Sequence, residues 1–296
     1  MAPFLLGLDP QKVLEVERAM DLSLPGHLYA KSPIDMACWD IAGQAAGLTI
    51  ADLMGGGSRT PTPIASSVGA KTVEETREVL ARYRDRGYWV HSVKVGGDVD
   101  QNIERIQDVE THRPTKERIL YDANRGFTRQ QALRVMQATE QWKVMFEQPC
   151  ETLDDIAAIR PLHSAPVSVD ECLVTLQDAV RVARDGIAEV FGIKLNRVGG
   201  LTKASRIRDI ALAHGIDIFV MATGGSVLAD TEALHLAATI PDDNMLGVWA
   251  CQDMITAEIA DGAGPRATKG HLHLPEQPGL GVHPQESTLT KVARYE

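Results

Sequence analysis

Five residues in the middle of this 296-residue chain have the types and the spacing to do chemistry. Each closes a short apolar run. Lys94 ends His91-Ser92-Val93-Lys94, Asp122 ends Ile119-Leu120-Tyr121-Asp122, and Glu147 ends Val144-Met145-Phe146-Glu147. Asp170 ends Val167-Ser168-Val169-Asp170, and Lys194 ends Val190-Phe191-Gly192-Ile193-Lys194. One acidic residue after a strand is ordinarily a helix cap or a solvated loop residue. Three at matching strand ends, flanked by Asn124, Gln148 and Glu171, are hard to explain that way. Carboxylates gathered in one pocket repel each other unless a divalent cation sits among them, and hard oxygen ligands suit Mg²⁺. Asp122, Glu147 and Asp170 are therefore the candidate metal ligands, and Lys94 and Lys194, placed before and after them, the candidate proton carriers. A lysine crowded by a divalent cation has its ammonium form disfavoured and can serve as a base.

The elements that must position these residues follow from their spacing. Successive run endings lie about 25 residues apart, close to one strand–helix unit of a barrel in which roughly 250 residues make eight units. Strand ends of such a barrel open on one face, so the five side chains are expected to converge there. The surrounding pattern agrees. Strands are expected at 64–68, at the five runs above, at 216–220 and at 247–249. Helices are expected near 73–86, 103–110, 128–140, 153–160, 176–185, 203–214 and 226–238. Before the barrel, residues 11–20 have helical spacing and 26–29 read as a connector. Ser32-Pro33 starts a second helix whose apolar face is Ile34, Ala37, Cys38, Ile41, Ala42 and Ala45, with Gly47 as its stop. The expectation is an α/β fold: a TIM-like (β/α)7β barrel over 59–254, preceded by a helical segment at 1–58 and followed by an irregular tail at 255–296 that packs back on it.

Bulk properties exclude other classes. A formal net charge of -10, with no basic run, argues against nucleic acid and against an acidic membrane surface. No run is long enough to span a bilayer, and the first residues lack a signal peptide's basic start and apolar core. Cys38, Cys150, Cys172 and Cys251 are scattered without a C-x-x-C pair, which suits reduced thiols. The expectation is a cytoplasmic enzyme acting on a small molecule. Cys150 and Cys172 read as ordinary buried thiols, and His271 and His273 as exposed tail residues. Thr223-Gly224-Gly225 follows the seventh strand and fits a backbone anion site or a plain helix start equally well. No phosphate-loop, dinucleotide-binding or serine-hydrolase motif is present.

The segments Tyr121-Asp122-Ala123-Asn124, Phe146-Glu147-Gln148-Pro149, Val169-Asp170-Glu171 and Lys194-Leu195-Asn196-Arg197-Val198-Gly199-Gly200-Leu201-Thr202 resemble strand-end motifs of the enolase superfamily, in its mandelate racemase / muconate lactonizing branch. The resemblance covers nearly the whole chain. It implies that Asp122, Glu147 and Asp170 bind Mg²⁺, and that Lys94 and Lys194 form an acid/base pair on opposite faces of a carboxylate substrate. It places Ser92, Asn124, Glu171, Asn196, Thr223 and Gly224 around the substrate or behind the ligands. Many relatives carry K-x-K on the second strand; here Ser92 stands where the first lysine would be. Residues 24–33 and 278–282 look most like the cis-3-hydroxyproline dehydratase subgroup, with the 4-hydroxyproline betaine 2-epimerases next. Relatives begin with a three-stranded cap piece, and this chain starts inside the cap's helical part, so the resemblance implies an N-terminally truncated α+β capping domain. It further implies a homo-oligomer.

Overall fold

The computed structural model describes residues 1–58, 60–69, 72–222, 224, 226–260, 262 and 264–294, without the side chain of residue 253. Eight parallel strands close into a barrel: β1 (Thr62–Val68), β2 (Val90–Lys94), β3 (Arg118–Asp122), β4 (Met145–Glu147), β5 (Val167–Val169), β6 (Val190–Lys194), β7 (Asp217–Met221) and β8 (Met245–Trp249). Neighbours pair in chain order, and β1 closes the ring by pairing with both β8 and β2. The α/β barrel expected from the periodicity is the fold observed.

Three helices precede the barrel: α1 (Val13–Ser23), α2 (Leu28–Ala46) and α3 (Ile50–Leu53). Between strands run α4 (Val73–Asp85), α5 (Val99–His112), α6 (Arg129–Ala138), α7 (Leu153–Ile159), α8 (Leu176–Asp185), α9 (Leu195–Val198), α10 (Leu201–Ala213) and α11 (Val227–Ala237). The helix starts are written locally. Asp98, Thr128, Thr152 and Thr175 cap α5 to α8, each side chain accepting the N–H of the third residue onward. These caps fix where each loop on the strand-end face hands over to its helix.

Alternate residues of each strand face the barrel axis. Val90, Leu120, Val190 and Phe219 form part of a closed apolar layer. Two residues further along, on the same faces, come Ser92, Asp122 and Gly192, and four residues along come Lys94 and Lys194. The other faces carry Tyr121, Phe146 and Phe191, fully buried in the main core under the helices. Burying each of these rings is worth about 2–3 kcal/mol. Below the mouth, this apolar layer fills the barrel axis.

Two expectations need correction. The second helix does not start at Ser32-Pro33. It begins a turn earlier at Leu28, absorbs the second half of the expected connector, and carries Pro33 inside it. Tertiary contacts outweigh the local signal here: Lys31, nearly fully buried, reaches Asp21 at 2.7 Å, and Leu28 lies against Gly199. The tail is also less irregular than its Pro and Gly content suggests. His271–Leu272 forms β9, antiparallel to β1, so His271 belongs to a strand and is half-buried.

The segments at the two ends of the chain meet. Gly279 N–H donates to Leu48 O (2.9 Å), Ile50 N–H donates to Gly279 O (3.0 Å), and Leu280 N–H donates to Asp40 (2.7 Å). α1 and α2 are tied to the barrel by Glu17 with Arg206 (2.8 Å, both arms) and by Asp35, which accepts the Thr202 N–H at the start of α10 (3.0 Å). Gly200 permits that approach: its φ is +111°, and a Cβ there would lie 2.4 Å from an Asp35 oxygen.

Candidate active site

Strand register brings three of the expected residues level. Lys94 is the pairing partner of Asp122, and Asp122 of Glu147, across β2, β3 and β4. Asp170 follows β5 directly, and Lys194 ends β6. All five therefore stand at the strand-end mouth in the order Lys, Asp, Glu, Asp, Lys. Gly192 in β6 lets the right-hand side close up, because a Cβ there would lie 3.0 Å from Val169 O and 3.3 Å from Asp170 Cβ.

The outer carboxylates face the protein's own cations. Lys94 Nζ donates to Asp122 Oδ2, and Lys194 Nζ donates to Asp170 Oδ2 at 3.3 Å. Both acids are almost fully buried, while the lysines remain partly open to solvent. Between them, Glu147 pairs with no cation among the described residues, and its Oε1 is buried without a hydrogen-bond partner there. Burial first, then the negative charges of Asp122 and Asp170, push the Glu147 carboxyl well above the usual carboxylate range, against the pull of Lys94. Among the described residues, no three Asp, Glu, His or Cys side chains are drawn close enough to make a ready cation cage. The donor set nonetheless fits a hard dication: three carboxylates in one mouth, the middle one holding an oxygen with nothing to bond.

Around this row, Asn124 N–H donates to Asp122 Oδ1 (2.8 Å), and Asn124 Nδ2 donates to Glu171 Oε1 (3.1 Å). Burial and the neighbouring Asp170 raise the Glu171 carboxyl. Ser92 is buried one layer beneath Lys94, and Asn196 is half-buried on α9. Gly224 lies in the loop after β7 with φ +72°, while Thr223 falls outside the described residues. Lys94, Lys194, Asp122, Glu147, Asp170, Asn124 and Glu171 are thus brought together.

Three contributors escaped the sequence reading of the site. Gln148, fully buried with φ +39°, accepts the N–H groups of Asp170 (3.1 Å) and Cys172 (3.2 Å). It donates to Cys150 O (3.0 Å) and to Cys172 Sγ (2.9 Å), so it fastens the end of β4 to the end of β5. Cys150 is buried as expected, whereas Cys172 is only half-buried at the edge of the core. Arg105, buried on α5, donates twice to the backbone oxygen of Lys94 (3.2 Å each) and once to Thr76 (3.2 Å). Arg197 donates to Asp170 Oδ1. Gln148 and Arg197 stood beside the expected residues in the quoted segments, and their adjacency was the available signal. Arg105 gave none.

Comparison with known proteins decides the family. Residues 74–288 match the family described as "Enolase C-terminal domain-like", and residues 1–55 match the "Mandelate racemase / muconate lactonizing enzyme, N-terminal domain". The chain belongs to the enolase superfamily, in its mandelate racemase / muconate lactonizing branch. It is 34% identical to a cis-3-hydroxy-L-proline dehydratase from Roseibium aggregatum, over all of this chain and 80% of that protein. An L-Lys-D/L-Arg epimerase from Methylococcus capsulatus is 29% identical over 94% of this chain and 79% of its own length. Among solved structures, a Silicibacter pomeroyi protein assigned to the mandelate racemase/muconate lactonizing enzymes superposes with TM-score 0.97 at 78% identity, covering 99% of this chain and 81% of that one. A member of the enolase superfamily from Roseovarius nubinhibens, complexed with magnesium, superposes with TM-score 0.96 at 42% identity, covering 100% and 81%. This superfamily member is an enzyme. No described helix is long and apolar enough to cross a membrane.

Proposed function

We propose that the enzyme is a Mg²⁺-dependent dehydratase of a proline-type amino acid, removing water from cis-3-hydroxy-L-proline. The observation that carries this reading is the placement of Lys94 and Lys194 on opposite sides of the Asp122–Glu147–Asp170 row, each touching the nearer outer carboxylate. Asp122, Glu147 and Asp170 would hold the metal. When bound there, Mg²⁺ supplies fixed positive charge beside the substrate carboxylate and so lowers the cost of charge building on its oxygens.

The lysines do the proton work. In cis-3-hydroxy-L-proline the carboxylate and hydroxyl share a ring face, so the α-hydrogen and the hydroxyl lie on opposite faces. Lys94, as the amine, takes the α-proton, and the electron pair left behind forms the Cα–Cβ double bond. Lys194, as the ammonium, delivers a proton to the hydroxyl as its C–O bond breaks, and water leaves. The enamine produced tautomerises to Δ1-pyrroline-2-carboxylate. Asn124 and Glu171 brace Asp122 from the loop side, and Arg105 holds the Lys94 main chain while its side chain moves a proton. The four free cysteines suit a reducing cytoplasm. We take the enzyme to act as a homo-oligomer, with residues 1–58 and 255–296 forming one lid-side unit on the 59–254 barrel.

The deciding measurement is proton NMR in D₂O with Mg²⁺, offering cis-3-hydroxy-L-proline and, separately, a proline betaine. Disappearance of the hydroxyproline signals with appearance of a pyrroline carboxylate is the expected result. Exchange of the betaine α-proton without elimination would assign an epimerase using the same two lysines, in which one removes the proton and the other returns it. No change in either substrate would leave a catalytically silent barrel and overturn the proposal.

A further inference from the structure

Asp170 has two oxygens and the structure treats them differently. Oδ2 faces Lys194, and Oδ1 accepts a hydrogen bond from Arg197 Nη1. Arg197 is 11% exposed at its side chain and Asp170 3%, so this ion pair is shielded from water. The same guanidinium also interacts with the Tyr29 hydroxyl on α2. Arg197 sits on the one-turn helix α9, which follows Lys194 without a gap. The turn after it is pressed on α2: a Cβ on Gly199 would lie 3.0 Å from Leu28, and one on Gly200 would enter Asp35. Arg197 therefore spans a seam, with one arm on a buried carboxylate of the barrel mouth and another on the helix packed over it.

We infer that Arg197 is the positioning residue for Asp170: it fixes Oδ1, leaving Oδ2 as the oxygen presented to the metal, and Tyr29 anchors it to α2. This rests on the reading of Asp170 as a metal ligand. A planar guanidinium suits the task where an ammonium does not. Its rigid fork donates to a carboxylate oxygen from a fixed direction, so turning Asp170 breaks that bond. Lys194 offers one flexible point contact on the other oxygen. Without Arg197, Asp170 would be free to turn both oxygens toward Lys194 and away from Glu147. The start of α2 would then lose its direct link to the ligand row. The role predicts a loss in metal affinity that does not depend on turnover, because partners behind a metal ligand typically contribute about 10–100-fold to affinity.

The test is isothermal titration of Mg²⁺ into the wild type, Arg197→Gln, Arg197→Lys and Tyr29→Phe, with circular dichroism and a thermal melt on each protein. The expected result is a dissociation constant about 10–100-fold weaker in Arg197→Gln. Arg197→Lys should fall between it and the wild type, and Tyr29→Phe should show a smaller loss of the same sign. Wild-type Mg²⁺ binding with unchanged affinity in a folded Arg197→Gln overturns the inference and leaves the dehydratase proposal standing. If Arg197→Gln does not fold, unchanged affinity in both Arg197→Lys and Tyr29→Phe overturns it equally. A wild type that binds no Mg²⁺ removes both this inference and the metal reading beneath it.

Discussion

Glu117 lies on the opposite side of the barrel from the mouth, just before β3, and its carboxylate is almost fully buried. Arg84 grips it with two arms at 2.6 and 2.9 Å, and His91 Nε2 lies 3.6 Å away, with His91 Nδ1 hydrogen-bonded to Ser66 at 2.7 Å. Burial alone would raise the Glu117 carboxyl. The close approach of His91 and the two hydrogen bonds and charge of Arg84 outweigh it and hold the group down from the ordinary 4.5 to about 2. A native carboxylate held below its unfolded value stabilises the fold above the unfolded pKa, and that stability is lost as pH falls through the native one. The difference of about 2.5 pH units corresponds to about 3 kcal/mol at neutral pH, shrinking to about 1 kcal/mol near pH 3. Glu117→Gln keeps the shape and one acceptor but removes the charge. Urea unfolding followed by tryptophan fluorescence should therefore show the variant about 3 kcal/mol less stable than wild type at pH 7, with the gap closing between about pH 4.5 and pH 2. Because His91 is on β2 and Glu117 immediately precedes β3, the loss falls on the strands that carry Lys94 and Asp122. A gap below about 1 kcal/mol at pH 7, the size of an exposed ion pair, would refute the reasoning. So would a gap that does not shrink on acidification.

Glu232 on α11 has the opposite linkage. Burial first and the nearby Asp35 charge push its carboxyl well above the usual range, and its Oε1 is buried without a partner. The folded chain holds a proton there that the unfolded chain releases, so stability drains away as pH rises above the unfolded value. Glu232→Gln should melt higher than wild type at pH 8 and converge with it toward pH 4; a gap that ignores pH would contradict this. Gln148→Leu removes the acceptor for the N–H groups of Asp170 and Cys172 and should cost roughly 2–6 kcal/mol in urea unfolding, at 1–3 kcal/mol per stranded donor. Wild-type stability in that variant would mean the loop finds other acceptors. At the site itself, Lys94→Ala and Lys194→Ala should each abolish turnover in the NMR assay while keeping Mg²⁺ affinity, and Asp122→Asn should weaken Mg²⁺ binding instead. Normal turnover in Lys194→Ala would remove the two-lysine mechanism.

The sequence by itself determined the barrel and the row of chemistry at its mouth. In a parallel barrel every strand ends on the same face and neighbours follow chain order. A series of charged residues closing apolar runs about 25 residues apart is therefore already a map of which side chain stands beside which. The starts of α6, α7 and α8 were legible for a similar reason, since each Thr cap and its partner lie within four residues of each other, whereas α5, expected near 103, begins at Val99. Only the tertiary structure decided how the row is held. Arg197 meets Tyr29 across 168 residues of sequence and Arg84 meets Glu117 across 33, pairings that no local period encodes. α2 starts ahead of its proline because Lys31 and Leu28 gain more from burial against Asp21 and Gly199 than the Ser32-Pro33 signal offers. Spacing along the chain fixes order on a regular scaffold. The side-chain bonds that hold the carboxylate row depend on packing between elements, and that exists only once the chain has closed.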